Sequence, residues 1–224
     1  MKLLNASWWK VLCVIFLMYT VIAGFLVEVP HLPILHETIR NLYFHVCMWF
    51  SMMFIFTVSL VYSIKYLMKP EEDSDIVASE SVNTGVIFAL LGLITGSLWA
   101  KYTWGAWWIN DPKLNGAAIT VLSYFAYIVL RSSIDDEQKK ARISAVYNVF
   151  AYVMMLVFVM IYPRLSGVDS LHPGNGGNPG FNAYALDYHM RIVFYPAVIG
   201  WVLLCAWIAS INIRLERIKR NNHN

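Results

Sequence analysis

Six uncharged, predominantly apolar runs divide the chain, at residues 11–27, 41–64, 82–100, 114–130, 143–163 and 192–213. A helix needs about 20 mainly apolar residues to cross the hydrocarbon core of a bilayer, with a range of roughly 17–25. All six runs meet this length, those at 11–27 and 114–130 at its short end. The spans are therefore expected at about residues 8–27, 41–64, 82–100, 114–130, 143–163 and 192–213. The prediction is an all-α, polytopic membrane protein. It is a six-transmembrane-helix bundle filling residues 1–224 as one domain, with no room for a separate soluble one. The first run follows Lys2, as a signal peptide would. Its apolar stretch is long for a signal core, and Glu28-Val29-Pro30 supplies no small-x-small cleavage site, so it reads as a retained helix.

The polar connectors set the orientation. Lys2, Lys10, Lys65, Lys69, Arg131, Lys139, Lys140, Arg142, Arg214, Arg217, Lys219 and Arg220 fall on one side, which makes twelve cations. Arg40, Lys101, Lys113, Arg164 and Arg191 make five on the other. Cytoplasmic loops carry the excess of Lys and Arg, so both termini and the loops 65–81 and 131–143 are expected in the cytoplasm. A composition of 58% hydrophobic and 14% charged residues excludes an ordinary soluble domain. The net charge of +3 then reflects topology and gives no reason to expect nucleic acid. The stretches 70–75 and 132–137 read as solvated connectors with Ser and Asp helix caps. Neither has a Gly-x-x-x-x-Gly-Lys-Ser/Thr phosphate loop, and the basic stretch 214–220 reads as a stop at the anionic leaflet of the membrane. Cys13, Cys47 and Cys205 all fall inside predicted spans with no C-x-x-C or C-x-x-C-H, which argues against a disulfide relay or a covalently attached c-type haem.

The opposite side carries the candidate chemistry. Its three segments are 28–40, 101–113 and the long connection 164–191, whose Gly/Pro/Asn run from His172 to Gly180 is expected to be irregular. Residues 99–111 read WAKYTWGAWWIND, which gathers Trp99, Trp104, Trp107 and Trp108, four of the nine tryptophans, within ten residues. Interfacial Trp is normally scattered. This cluster is a flat apolar platform, with Gly105 to let the backbone turn and Asp111 to close the segment by accepting hydrogen bonds. His31, His36, His45, His172 and His189 map to this same side, and His45 lies about one turn inside the second span. A titratable side chain near membrane depth marks a functional candidate. An aromatic surface flanked by two imidazoles suits haem: the porphyrin stacks on Trp, and iron takes neutral imidazole nitrogen at its axial positions. Lys101, Lys113, Arg164 and Arg191 lie on the side where propionates would need cations. Zinc is disfavoured, because no Cys or carboxylate sits near a His at ligand spacing.

Thr95-Gly96-Ser97-Leu98-Trp99-Ala100-Lys101, followed by Trp104-Gly105-x-Trp107-Trp108-x-x-Asp111, resembles the WWD signature of c-type cytochrome assembly proteins. Together with the chain length, the six spans and Asn41-Leu42-Tyr43-Phe44-His45-Val46, it is similar to the cytochrome c maturation protein C family, also called haem exporter protein C. The resemblance implies a haem-handling factor of the bacterial inner membrane that is not an enzyme. It would hold haem b non-covalently and transiently at the periplasmic face and deliver it to a periplasmic haem chaperone, alongside the membrane and ATPase subunits of an ABC-type complex. By the same resemblance the cofactor contacts are Trp99, Trp104, Gly105, Trp107, Trp108 and Asp111, and the axial ligands are His45 and His172, with His189 as a competitor for the second position. The chain departs from the family by having Asn110 for a Trp, Lys113-Leu114-Asn115 for Arg-Leu-Thr, and Cys47 where Pro usually follows Val46. Two other readings remain open: a WWD-type haem lyase subunit, and a small-molecule transporter with an aromatic outer gate. The lack of paired acids or Gly/Pro-broken helices inside the spans counts against the transporter.

Overall fold

The computed structural model describes residues 7–32, 34–172 and 186–222. The irregular run expected at 172–180 therefore falls, from Pro173 on, outside the described residues, as does His223. Six long helices organise the chain: α1 (Trp8–Leu26), α2 (Leu42–Met68), α3 (Glu72–Trp104), α4 (Pro112–Ser132), α5 (Glu137–Met155) and α6 (Tyr188–Asn221). A 3-10 turn (His36–Asn41) leads into α2, and α5 continues through a π-helical segment (Leu156–Ile161) into a 3-10 turn (Tyr162–Arg164). All six are long and apolar enough to span a membrane, and no strand occurs among the described residues. α6 runs through Pro196 without interruption.

The helices overrun the uncharged runs that announced them. α3 begins at Glu72 and α5 at Glu137, so the expected loops 65–81 and 131–143 shrink to residues 69–71 and 133–136. Charge alone does not stop a helix; its ends are set by caps and by where its charges find partners. Asp136 caps α5 by accepting from the Lys139 amide at 2.8 Å, and Glu72, Asp73 and Asp75 complement the positive end of α3. Asp75 also corrects the reading of 70–75 as a solvated connector, since it is only 5% exposed. Arg131 of α4 grips it bidentately at 2.8 and 2.7 Å, and Arg220 of α6 shares its Oδ2 at 3.3 Å. This ion cluster fastens the ends of α3, α4 and α6 at the basic end of the bundle.

α2 and α3 pack antiparallel in a register written by glycine. A Cβ added at Gly85 would meet the Phe56 ring at 2.3 Å, one at Gly92 the Trp49 ring at 2.9 Å, and one at Gly96 the His45 ring at 2.6 Å. Three rings of α2 thus sit in three notches of α3, the close approach that small residues permit between membrane helices. The main core surrounds Met52, Phe56, Phe88, Tyr124 and Met155, where Phe56 and Tyr124 stack at 3.6 Å between ring centres. A second cluster at the WWD end packs Val29, Leu32 and Ile39 of the segment 28–40 with Tyr43, Leu186, Met190 and Phe194. It clamps the first turns of α2, and with them His45, between that segment and the start of α6.

Candidate functional site

His45 is the fourth residue of α2, and its ring rests in the notch at Gly96. Its Nδ1 lies 3.0 Å from the Gly92 carbonyl oxygen and 3.2 Å from Thr95 Oγ1. A carbonyl only accepts, so this bond assigns the proton to Nδ1 and leaves the lone pair of the neutral ring on Nε2. Trp99 stands edge-on to the imidazole at 5.9 Å and Trp49 at 6.3 Å. Trp99 is itself fixed by donating from Nε1 to Thr38 Oγ1 at 3.1 Å, which ties α3 to the 3-10 turn before α2.

The tryptophan segment begins where α3 ends. Gly105 adopts a left-handed conformation (φ +79°), which a residue with a Cβ reaches only at a cost, and the Lys101 ammonium donates to its carbonyl at 3.0 Å. The turn reverses the chain and leaves Trp107 and Trp108 exposed, at 57% and 42%. Here the Asn115 amide donates to Asn110 Oδ1 at 2.7 Å, bracing the segment against the first turn of α4.

Asp111 is the junction of the site. It is 2% exposed and caps α4, its Oδ1 accepting from the amides of Lys113 at 2.8 Å and Leu114 at 3.4 Å. Its Oδ2 accepts from Ser170 Oγ and the Leu171 amide, both at 2.9 Å. The fifth partner is His172, whose Nδ1 lies 3.0 Å from Oδ1. Burial by itself would raise the Asp111 carboxyl, but the bond from and charge of His172, with the Leu171 amide and the Ser170 hydroxyl, hold it well below the usual carboxylate range. Ionised Asp111 only accepts, so the His172 proton is also assigned to Nδ1 and the lone pair of the neutral ring to Nε2. Trp104 stands edge-on to His172 at 5.1 Å.

The last turns of α3 and the loop after them thus place both imidazoles. His172 and Lys113 lie within electrostatic reach of His45, and Arg164 within reach of Lys113. The remaining described histidines at this end stand apart. His189 is exposed in the first turn of α6, 3.6 Å from Asp187, while His31 and His36 are exposed on the segment 28–40. Of the cations on this side, Arg191 donates from Nε to the Leu186 carbonyl at 2.8 Å, and Arg164 donates to the Met160 carbonyl.

Sequence reasoning missed Thr38, Thr95 and Ser170, which orient Trp99, His45 and Asp111. It also missed Gly92 and Gly96. Their Gly-x-x-x-Gly spacing inside an apolar run was the available signal. At the start of the run expected to be irregular, three hydrogen bonds from 170–172 converge on one buried carboxylate.

The sequence model of the family described as Heme exporter protein C matches residues 2–224. Among curated proteins, Heme exporter protein C of Paracoccus denitrificans is 28% identical over 185 residues, covering 82% of this chain and 75% of its own. Heme exporter protein C of Escherichia coli K12 is 23% identical over 175 residues, 78% of this chain and 69% of that protein. Cytochrome c biogenesis protein CcsA of Prochlorococcus marinus is 32% identical over 109 residues, but these make up 46% of this chain and 35% of that protein. With the family match running along almost the whole of a six-helix, WWD-bearing membrane protein, the chain belongs to the heme exporter protein C family.

Proposed function

We propose that this protein binds haem at the tryptophan end of the bundle, on the periplasmic face of a bacterial inner membrane, and passes it on for c-type cytochrome maturation. One observation carries this reading. Two imidazoles from distant parts of the chain, His45 and His172, converge beside Trp99 and Trp104 with each Nδ1 held by an acceptor. That arrangement orients the Nε2 lone pair, as histidines that ligate metals are oriented by an acceptor on their other nitrogen. Haem is the cargo. His45 is the fixed axial ligand, borne on a helix and seated in glycine. His172 is the second ligand, its ring oriented by the Asp111 carboxylate on Nδ1.

Trp107 and Trp108 supply the exposed aromatic surface for the porphyrin, each such contact worth about 0.5–1.5 kcal/mol beyond its area burial. Gly105 and Asp111 shape the segment rather than touch iron. Lys113 and Arg164, close to each other, suit the two propionates better than Lys101, which closes the end of its own helix. The donors are neutral imidazoles and the cysteines are buried and free, so the haem, of b type, is held non-covalently and can leave. The acceptor is a periplasmic haem chaperone, and the membrane and ATPase subunits of an ABC-type complex are the partners. The chain contributes transfer and no chemistry of its own. The excess of cations at the other end of the bundle supports a cytoplasmic location for both termini.

A haem titration of the detergent-solubilised protein tests this reading. The wild type develops a saturable Soret band, and replacing Trp107 and Trp108 together by Ala removes most of it. Absence of a Soret band in the wild type at saturating haem would favour the transporter reading. The partial match to the cyanobacterial protein keeps the haem lyase in view as a second reading. Covalent attachment of haem to an added apocytochrome by this protein alone would establish it.

A further inference from the structure

The end of the bundle opposite the tryptophans holds an open cleft of about 1330 Å³ between the ends of α2, α3, α4, α5 and α6. It is roomier than the roughly 300–1,000 Å³ typical of small-molecule sites. Its floor is the Asp75–Arg131–Arg220 cluster, whose charges satisfy one another. Its mouth is different. Lys139 and Arg142, on the first turns of α5, are exposed and form no ion pair among the described residues, whereas the neighbouring Lys140 is taken up by Glu137 at 2.5 Å. Leu67 and Ile128 add apolar wall to the same cleft. The cleft is also blind: Phe56 and Tyr124, stacked at 3.6 Å, fill the core between it and the tryptophan end, so it is not the mouth of a passage for haem.

We infer that this cleft binds an anionic phospholipid of the adjacent leaflet, its phosphodiester between Lys139 and Arg142 and its acyl chains along Leu67 and Ile128. The pairing of spare cations with apolar wall selects this occupant. A soluble anion would use only the cations, and a zwitterionic lipid would bring its own cation against Lys139 and Arg142. Basic pockets between membrane helices take anionic headgroups by this combination of charge and burial. The inference is independent of the haem site, because it uses none of those residues.

Native mass spectrometry of the full chain in mild detergent, with phosphatidylglycerol, cardiolipin or phosphatidylcholine added, tests it. The expected result is a saturable anionic-lipid adduct that survives activation energies which strip phosphatidylcholine. The double variant Lys139→Gln/Arg142→Gln should weaken it by about 30-fold, from two cations at the membrane surface. The charge-keeping Lys139→Arg/Arg142→Lys should retain it, and both variants should keep the wild-type haem titration. Equal retention of phosphatidylcholine, an unchanged affinity in the Gln variant, or displacement by millimolar inorganic phosphate would each overturn the inference, the last by revealing a free-anion site.

Discussion

Asp111 bears on two structures at once, the start of α4 and the segment that carries His172. Its removal therefore has two separable effects. Asp111→Ala loses a helix cap, worth about 0.5–2 kcal/mol of stability. It also loses the acceptor behind a proposed iron ligand, for which outer-shell losses run at roughly 10–100-fold in affinity. The expectation is a modestly lowered melting temperature with a much larger fall in haem affinity, and Asp111→Asn should keep part of the cap while still losing affinity. A fall in melting temperature with haem affinity unchanged would make Asp111 a structural residue only. The carboxyl of Asp111 is depressed in the folded protein, so its contribution is complete above the ordinary carboxylate pKa of about 3.9 and fades only as pH falls through the lower folded value. Protease protection at Ser170 should accordingly stay level between about pH 7 and pH 4, and loss of protection within that window would contradict the clamp. Asp111 and Gly105 could be read from the sequence in these roles because capping and left-handed turns are local. Thr95 and Ser170 could not, because their partners lie 50 and 59 residues away.

At the level of the helix, α3 organises the site. Its glycine notches set the register against α2, its last turns carry Trp99 and Trp104, and its C-terminal glycine launches the exposed tryptophans. Gly96→Ala places a methyl 2.6 Å from a His45 ring atom, a contact that must be relieved by moving a ring held on both sides. Overpacking of this kind costs about 1–3 kcal/mol. The variant should remain folded by circular dichroism while its Soret maximum shifts or its haem occupancy drops. An unaltered haem spectrum would show that the notch serves packing alone. The helices were legible because lipid-spanning runs need length and apolarity and little else. Their ends were not, because Glu72 and Glu137 lie inside helices whose charges are partnered or capped at the basic end. The same blindness hid Asp75, whose partners Arg131 and Arg220 come from other helices.

The whole molecule has two unlike ends: two imidazoles and the WWD tryptophans at one, a lattice of ion pairs and spare cations at the other. The cation asymmetry predicts that a reporter fused after Asn224 is active in the cytoplasm and silent in the periplasm, and the reverse would invert the site relative to the membrane. The central claim is that one iron is shared by His45 and His172 across this bundle. Optical and electron paramagnetic resonance spectra of the haem-loaded protein, wild type beside His45→Ala, His172→Ala and His189→Ala, test it most directly. The account predicts a six-coordinate, bis-histidine low-spin spectrum for the wild type and for His189→Ala, and a five-coordinate spectrum, restored by added imidazole, for the other two. A wild-type spectrum kept by His172→Ala but lost in His189→Ala would contradict it and move the second ligand to the start of α6.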